Sequence, residues 1–142
     1  MRAISPVIAT VIIVSVAIAI SIAVALWLTG ITSGFTQTEN LQIVSSYATA
    51  ITSPTNGWRI TIVLKNTGTV AATIDNIFIN GIPISNANGV YSYNGTDTTI
   101  DPGQNKTIVI VLQQTAYSSG QMVNIKIHTA SGRDYPTTVT LP

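Results

Sequence analysis

The side chains that could do chemistry are few and scattered. His128, the one histidine, stands on the polar side of the alternating run Val123 to His128, where a solvated strand residue needs no catalytic role. The acids Glu39, Asp75, Asp97, Asp101 and Asp134 form no close sequence pair with a base or nucleophile. Asn94, Asp97 and Asp101 bring oxygens together, yet their order fits no EF-hand loop, and turn-forming Asx residues account for them. Glycines occur singly and open no helix, so there is no phosphate cradle. Cysteine is absent, which excludes disulfides and thiolate metal sites. The expectation is a protein that is not an enzyme and holds no cofactor or metal. Modification is another matter. Asn94-Gly95-Thr96 and Asn105-Lys106-Thr107 both match the N-x-[ST] acceptor for N-linked sugar, which is added outside the cell. Tyr91 and Tyr93 are the best aromatic candidates for a surface contact, although packing is the simpler reading.

What must position these residues is an unusual chain. Of its 142 residues 46% are hydrophobic and only 8% charged, far below the usual quarter. Six basic and five acidic residues lie singly, for a net charge of +1, so no basic patch exists to neutralise phosphates and nucleic acid is not an expected partner. Ser, Thr, Asn and Gln carry the polarity instead.

The dominant feature is the stretch Ile4 to Leu28. No charge occurs between Arg2 and Glu39, and from Val7 to Leu28 the only polar side chains are Thr10, Ser15 and Ser21. As a helix, Val7 to Leu28 would rise about 33 Å, close to the roughly 30 Å hydrocarbon thickness of a bilayer. Ser5-Pro6 reads as N-cap and first-turn proline. No proline follows until Pro54, so the helix is expected to run unbroken over 4–51, its later part carrying the stripe Leu41, Val44, Ala48, Ile51. The apolar run is too long for a cleaved secretory signal. Within it, small residues recur at four-residue spacing in two rows, Ser15, Ala19, Ala23 and Ala17, Ser21, Ala25. Gly30 and Gly34 form a G-x-x-x-G beyond them. Such rows let helix backbones approach closely. Two rows on different faces imply several helical neighbours, so the helix must lie in a membrane or among copies of itself.

Residues 52–57 are rich in turn formers and read as a linker. From 58 to 142 the pattern is β throughout. Trp58, Ile60, Ile62 and Leu64 alternate with Arg59, Thr61, Val63 and Lys65. Asn80-Gly81 is a hairpin signal. Lys106 to Gln113 is nearly all apolar, predicting a central strand covered on both faces. About seven short strands with regular turns describe an immunoglobulin-like antiparallel sandwich behind a long helix, an α+β fold.

One resemblance follows. Arg2-Ala3-Ile4-Ser5-Pro6-Val7-Ile8-Ala9-Thr10 before a long apolar helix resembles the N-terminus of archaeal type IV pilins, relatives of the archaellins. Val63-Leu64-Lys65-Asn66-Thr67-Gly68 and Asp101-Pro102-Gly103-Gln104 are similar in style to the heads of that family. The resemblance implies a leader, residues 1–3, cut by a prepilin peptidase between Ala3 and Ile4. It implies a helix that waits in the membrane, then is packed by the pilus assembly machinery into the core of a homopolymeric extracellular filament for adhesion. The heads, sugar-bearing in that family's manner, would form the sheath. The acid that bacterial pilins carry near their mature start is missing here, so register would rest on packing. Two other readings stay open at this point: an archaellin-like motility filament, and a single-pass anchored surface domain that never polymerises.

Overall fold

The computed structural model describes residues 5–142, so the proposed cut between Ala3 and Ile4 lies outside the described residues. The chain forms two units, residues 1–37 and 38–142.

The first unit is one helix, α1, Pro6–Phe35. Pro6 occupies the first turn, where its missing N–H is no loss. The expected cap is not made: Ser5 is the N-cap residue, but its side chain makes no capping hydrogen bond. The helix also ends sooner than its lack of proline suggests. It stops at Phe35, with Thr36 as C-cap, and residues 41–51 are a strand rather than its continuation.

The second unit is an antiparallel sandwich of nine strands. These are β1 (Leu41–Ile51), β2 (Gly57–Asn66), β3 (Ala72–Ile79), β4 (Ile82–Pro83), β5 (Val90–Tyr93), β6 (Thr98–Ile100), β7 (Asn105–Gln113), β8 (Met122–Thr129) and β9 (Asp134–Thr140). One sheet runs β1-β2-β7-β5; the other runs β4-β3-β8-β9, with β6 also paired to β3. The α+β architecture expected from sequence is the one that forms. Its domain boundary moves: the head includes β1, and residues 52–56 are a turn between β1 and β2 rather than a linker between domains.

The strand identity of 41–51 has a physical cause. Its Ile, Val, Tyr and Thr suit a pleated surface, and all but one of its residues find a partner on β2. A bulge between Ile43 and Ser45 breaks the alternation, so Leu41, Ile43, Ser46 and Ala48 turn inward at spacings of two, three and two. Val44, expected on a helical stripe with Leu41, Ala48 and Ile51, is the unpaired bulge residue and is exposed. Elsewhere alternation sets the core. Ten of the twelve largest fully buried side chains are isoleucines, among them Ile60, Ile62, Ile108 and Ile110, whose stiff β-branched rotamers pack well between sheets. β7 is central, as expected, but covered fully on one face only: Ile108, Ile110 and Leu112 enter the core, while Thr107 is exposed and Val109 half-buried. Asn80 and Gly81 take positive φ, as a tight primed hairpin between β3 and β4 requires.

One buried side chain ties the head together. Asn66 is wholly buried at the end of β2. Its Nδ2 donates to the carbonyls of Val70 and Ile100, both at 2.8 Å, and its Oδ1 accepts from Gly68 N–H at 2.9 Å. Its backbone N–H donates to Gln104 O, and its carbonyl accepts from Gly103 N–H. The turn after it then grips the chain entering the head. Thr67 and Thr69 N–H donate to the carbonyls of Asn40 and Thr38, both at 2.8 Å, and Thr38 N–H donates to Thr69 Oγ1 at 2.9 Å. Gly68 is required by closeness: a Cβ there would stand 2.3 Å from Thr38 O and 2.7 Å from Asn40 N, both backbone atoms.

Asn66→Ala leaves two carbonyls and one N–H unpaired in the interior, each costing about 1–3 kcal/mol. Thermal unfolding of the head should show a loss of at least about 2 kcal/mol. Gly68→Ala should destabilise by forcing a Cβ against Thr38 O and Asn40 N, and a wild-type melting temperature for either variant would contradict the clamp.

Candidate functional site

The candidate site is the surface of α1. Its 30 residues give a rod of about 45 Å, long and apolar enough to cross a membrane, and none of its residues is buried. Sixteen large apolar side chains, from Val7 to Phe35, are 37% to 83% exposed along it. Burying one such side chain is worth about 1.5–3 kcal/mol, so leaving them all in water forgoes more than about 20 kcal/mol. A whole domain is stable by only about 5–15 kcal/mol. This helix therefore requires lipid or protein around it.

The polar groups of α1 are arranged for the same end. Every hydroxyl within it bonds back to the preceding turn: Thr10 to Val7 O, Ser15 to Val11 O, Ser21 to Ala17 O, Thr29 to Ala25 O, Thr32 to Leu28 O and Ser33 to Gly30 O, at 2.7 to 2.8 Å. No hydroxyl is left pointing outward, as an apolar surrounding demands, and among the described residues the Trp27 indole N–H is the one side-chain donor on α1 without a bond. Because successive residues advance about 100°, the row Ser15, Ala19, Ala23 lies about 200° round the helix from the row Ala17, Ser21, Ala25. The two rows of small, exposed residues thus face nearly opposite ways. A Cβ at Gly30 or Gly34 would meet nothing within 4 Å, so no contact inside the chain calls for glycine at either position.

The head carries the remaining sequence-predicted residues. Asn94 and Asn105 are both exposed. Asn94 Oδ1 accepts from Val109 N–H at 2.7 Å, extending the β5–β7 edge, while its Nδ2, the atom that takes sugar, makes no hydrogen bond among the described residues. Tyr91, the unpaired residue of the β5 bulge, is 50% exposed, and Tyr93, opposite Ile110 on this edge strand, is 39% exposed. A shallow hollow of about 220 Å³ beside Trp58 is lined by Ile51, Gly57, Gln114 and Pro142 among others, with no titratable side chain.

One grouping escaped the sequence. Asp134, read there as isolated, meets two bases: Oδ1 lies 2.7 Å from His128 Nδ1 and Oδ2 lies 3.2 Å from Lys126 Nζ. The tight turn at Ser131-Gly132 pairs His128 with Asp134 across β8 and β9, and that hairpin was the available signal. Lys126 Nζ also lies 4.7 Å from the Phe78 ring centre, a cation–π contact. The group is exposed and fastens a hairpin on the outer face of its sheet. Asn66 also went unnoticed as a hub, since the sequence marked it only as a turn residue.

No protein-family model matches the chain, and no curated protein does. Among solved structures it is similar to the archaellum periplasmic stator protein FlaG from Sulfolobus acidocaldarius. That likeness has 22% identity and a TM-score of 0.46, covering 71% of this chain and 99% of the other. At that level it carries no argument about function.

The hydrogen bonds from His128 and then Lys126 hold the Asp134 carboxyl below its ordinary value. With a depressed native pKa, its contribution is complete above the unfolded value of about 4 and is lost as pH falls through the lower native value. The melting difference between wild type and Asp134→Asn should therefore be small and vanish in strong acid. A difference that persisted in strong acid would contradict this pairing.

Proposed function

We propose that this chain is the major structural subunit of an archaeal type IV pilus. It polymerises through α1 into an extracellular filament that attaches cells to surfaces or to one another. One observation carries the reading: a fully unburied apolar helix, its hydroxyls satisfied internally, has close-approach rows on opposite sides. A lone membrane anchor needs the apolar surface but not the two rows. A helix with neighbours on several sides uses both. The pilin-like segment from Arg2 to Thr10 supports the same reading, and with it a cut between Ala3 and Ile4 by a prepilin peptidase.

In this account the helix first lies in the cell membrane. It then exchanges lipid for copies of itself, and Ser15, Ala17, Ala19, Ser21, Ala23 and Ala25 let their backbones close up. Gly30 and Gly34 extend that close approach beyond the rows. The sandwich heads form the outer layer. The work is mechanical, with no catalysis, metal or cofactor. Sugar on Asn94 would hydrate a surface that has few charges.

Shearing intact cells tests this directly. The chain is expected in the sheared supernatant as filaments recovered without detergent, beginning at Ile4 and carrying sugar on Asn94. Retention in the membrane fraction until detergent is added would overturn the filament reading in favour of an anchored domain. A substitution pair separates assembly from insertion. Ala19→Leu should abolish filaments while the protein still reaches the membrane with a folded head. Val24→Leu, off both rows, should assemble.

A further inference from the structure

The first sheet of the head carries charge of one sign. Its strands hold Arg59, Lys65 and Lys106 and no acid. Three acids gather instead at the β3–β6 edge of the second sheet. Asp75 sits at the bulge between Ile74 and Asn76 of β3. The pairing of Ile74 with Thr98 places Asp97 beside it, and Asp101 directly follows the last residue of β6. None of these six residues has an ion-pair partner among the described residues, where the only ion pairs are those of Asp134. Residues 38–142 hold five bases and five acids, so the head is neutral as a whole, its other two bases, Lys126 and Arg133, lying on β8 and in the β8–β9 turn.

The first sheet's outer face also has the make-up of a contact surface. Arg59 and Lys65 stand about 20 Å apart along β2. Between and beside them lie half-buried Val63 and Val109 and the exposed Tyr47. We propose that this face docks on the β3–β6 edge of a second copy of the chain, Arg59 and Lys65 meeting Asp75, Asp97 and Asp101. The proposal rests on the filament reading. In a polar filament neighbouring copies are not related by a two-fold axis, so each contact joins two different surfaces of the head, and repetition continues without closing. Two unlike surfaces of opposite sign on a neutral head meet that requirement. Exposed pairs contribute little individually and are screened by salt, so they select which surfaces meet while α1 supplies the drive. Asn105 pairs with Lys65 in register on the docking face, so it carries no sugar in assembled protein.

A zero-length carbodiimide cross-link, which joins a lysine to a carboxylate already touching it, tests the pairing. Two forms of the full chain are expressed together. One has Lys65→Arg, which keeps the charge but cannot react. The other has Asp75, Asp97 and Asp101 each changed to Asn. Any amide between Lys65 and one of these acids then joins two copies. The sheared and membrane fractions are both mapped by mass spectrometry. The expected result is that link in sheared filaments, and its loss when Arg59→Glu and Lys65→Glu are introduced. Filaments without the link, or with sugar on Asn105, overturn the docking and leave the filament reading standing. The link in protein that stays in the membrane and forms no filament supports the docking and overturns the filament. Lysines on this face found joined only to other proteins overturn it as well.

Discussion

A thirty-residue helix with no charge cannot be left in water, and the rest of this molecule is arranged around that constraint. The hydrophobic penalty of exposing α1 exceeds the stability of an ordinary domain, so the helix must always have an apolar surrounding. Its hydroxyls turn back on their own carbonyls, which makes it equally compatible with lipid and with other helices. That double compatibility is what a subunit needs if it is stored in a membrane and used in a polymer. The two small-residue rows are what distinguish the second environment from the first.

The head answers a different requirement, which is to remain folded while attached to such a helix. Any load along α1 enters the head at Thr38, and there the chain is gripped within a few residues by Thr67 and Thr69. Behind that grip stands Asn66, its side chain and backbone joining the β2–β3 turn to the end of β6 and to the turn at 101–104. A buried amide with every group bonded is rigid where an apolar residue would leave carbonyls unpaired. The isoleucine-rich core, the Trp58 Nε1 bond to Pro142 O at 2.9 Å and the Ser46–Thr137 contact at 2.9 Å then close the sandwich at its ends and edge.

Much of this was legible in the sequence because the strongest signals were local. Composition alone marked α1, alternation marked β2 and β8, and a nearly continuous apolar run marked β7. β1 was misread as helix because Leu41, Val44, Ala48 and Ile51 fall at spacings of three and four, although Val44 is the exposed bulge residue and not part of the inward row. β6 was passed over because Thr98 to Ile100 is too short to show a period. The helix rows could be read as sequence because they depend only on spacing, and the structure leaves them exposed. The Asp134 group and the Asn66 hub could not, since both depend on which distant residues a strand register brings together. The single sign of charge on the first sheet was equally hidden, because it exists only once strands have been sorted into sheets.

The most direct measurement is a residue-level cryo-electron microscopy map of fibres sheared from cells that express this chain. The account predicts a core in which residues 6–35 are helical and touch the same segment of several other copies. Backbones should come closest at Ala19 and Ser21, no lipid should lie between them, and the sandwiches should stand outside. A fibre whose contacts run only through the heads, with the helices still enclosed in lipid, would contradict it.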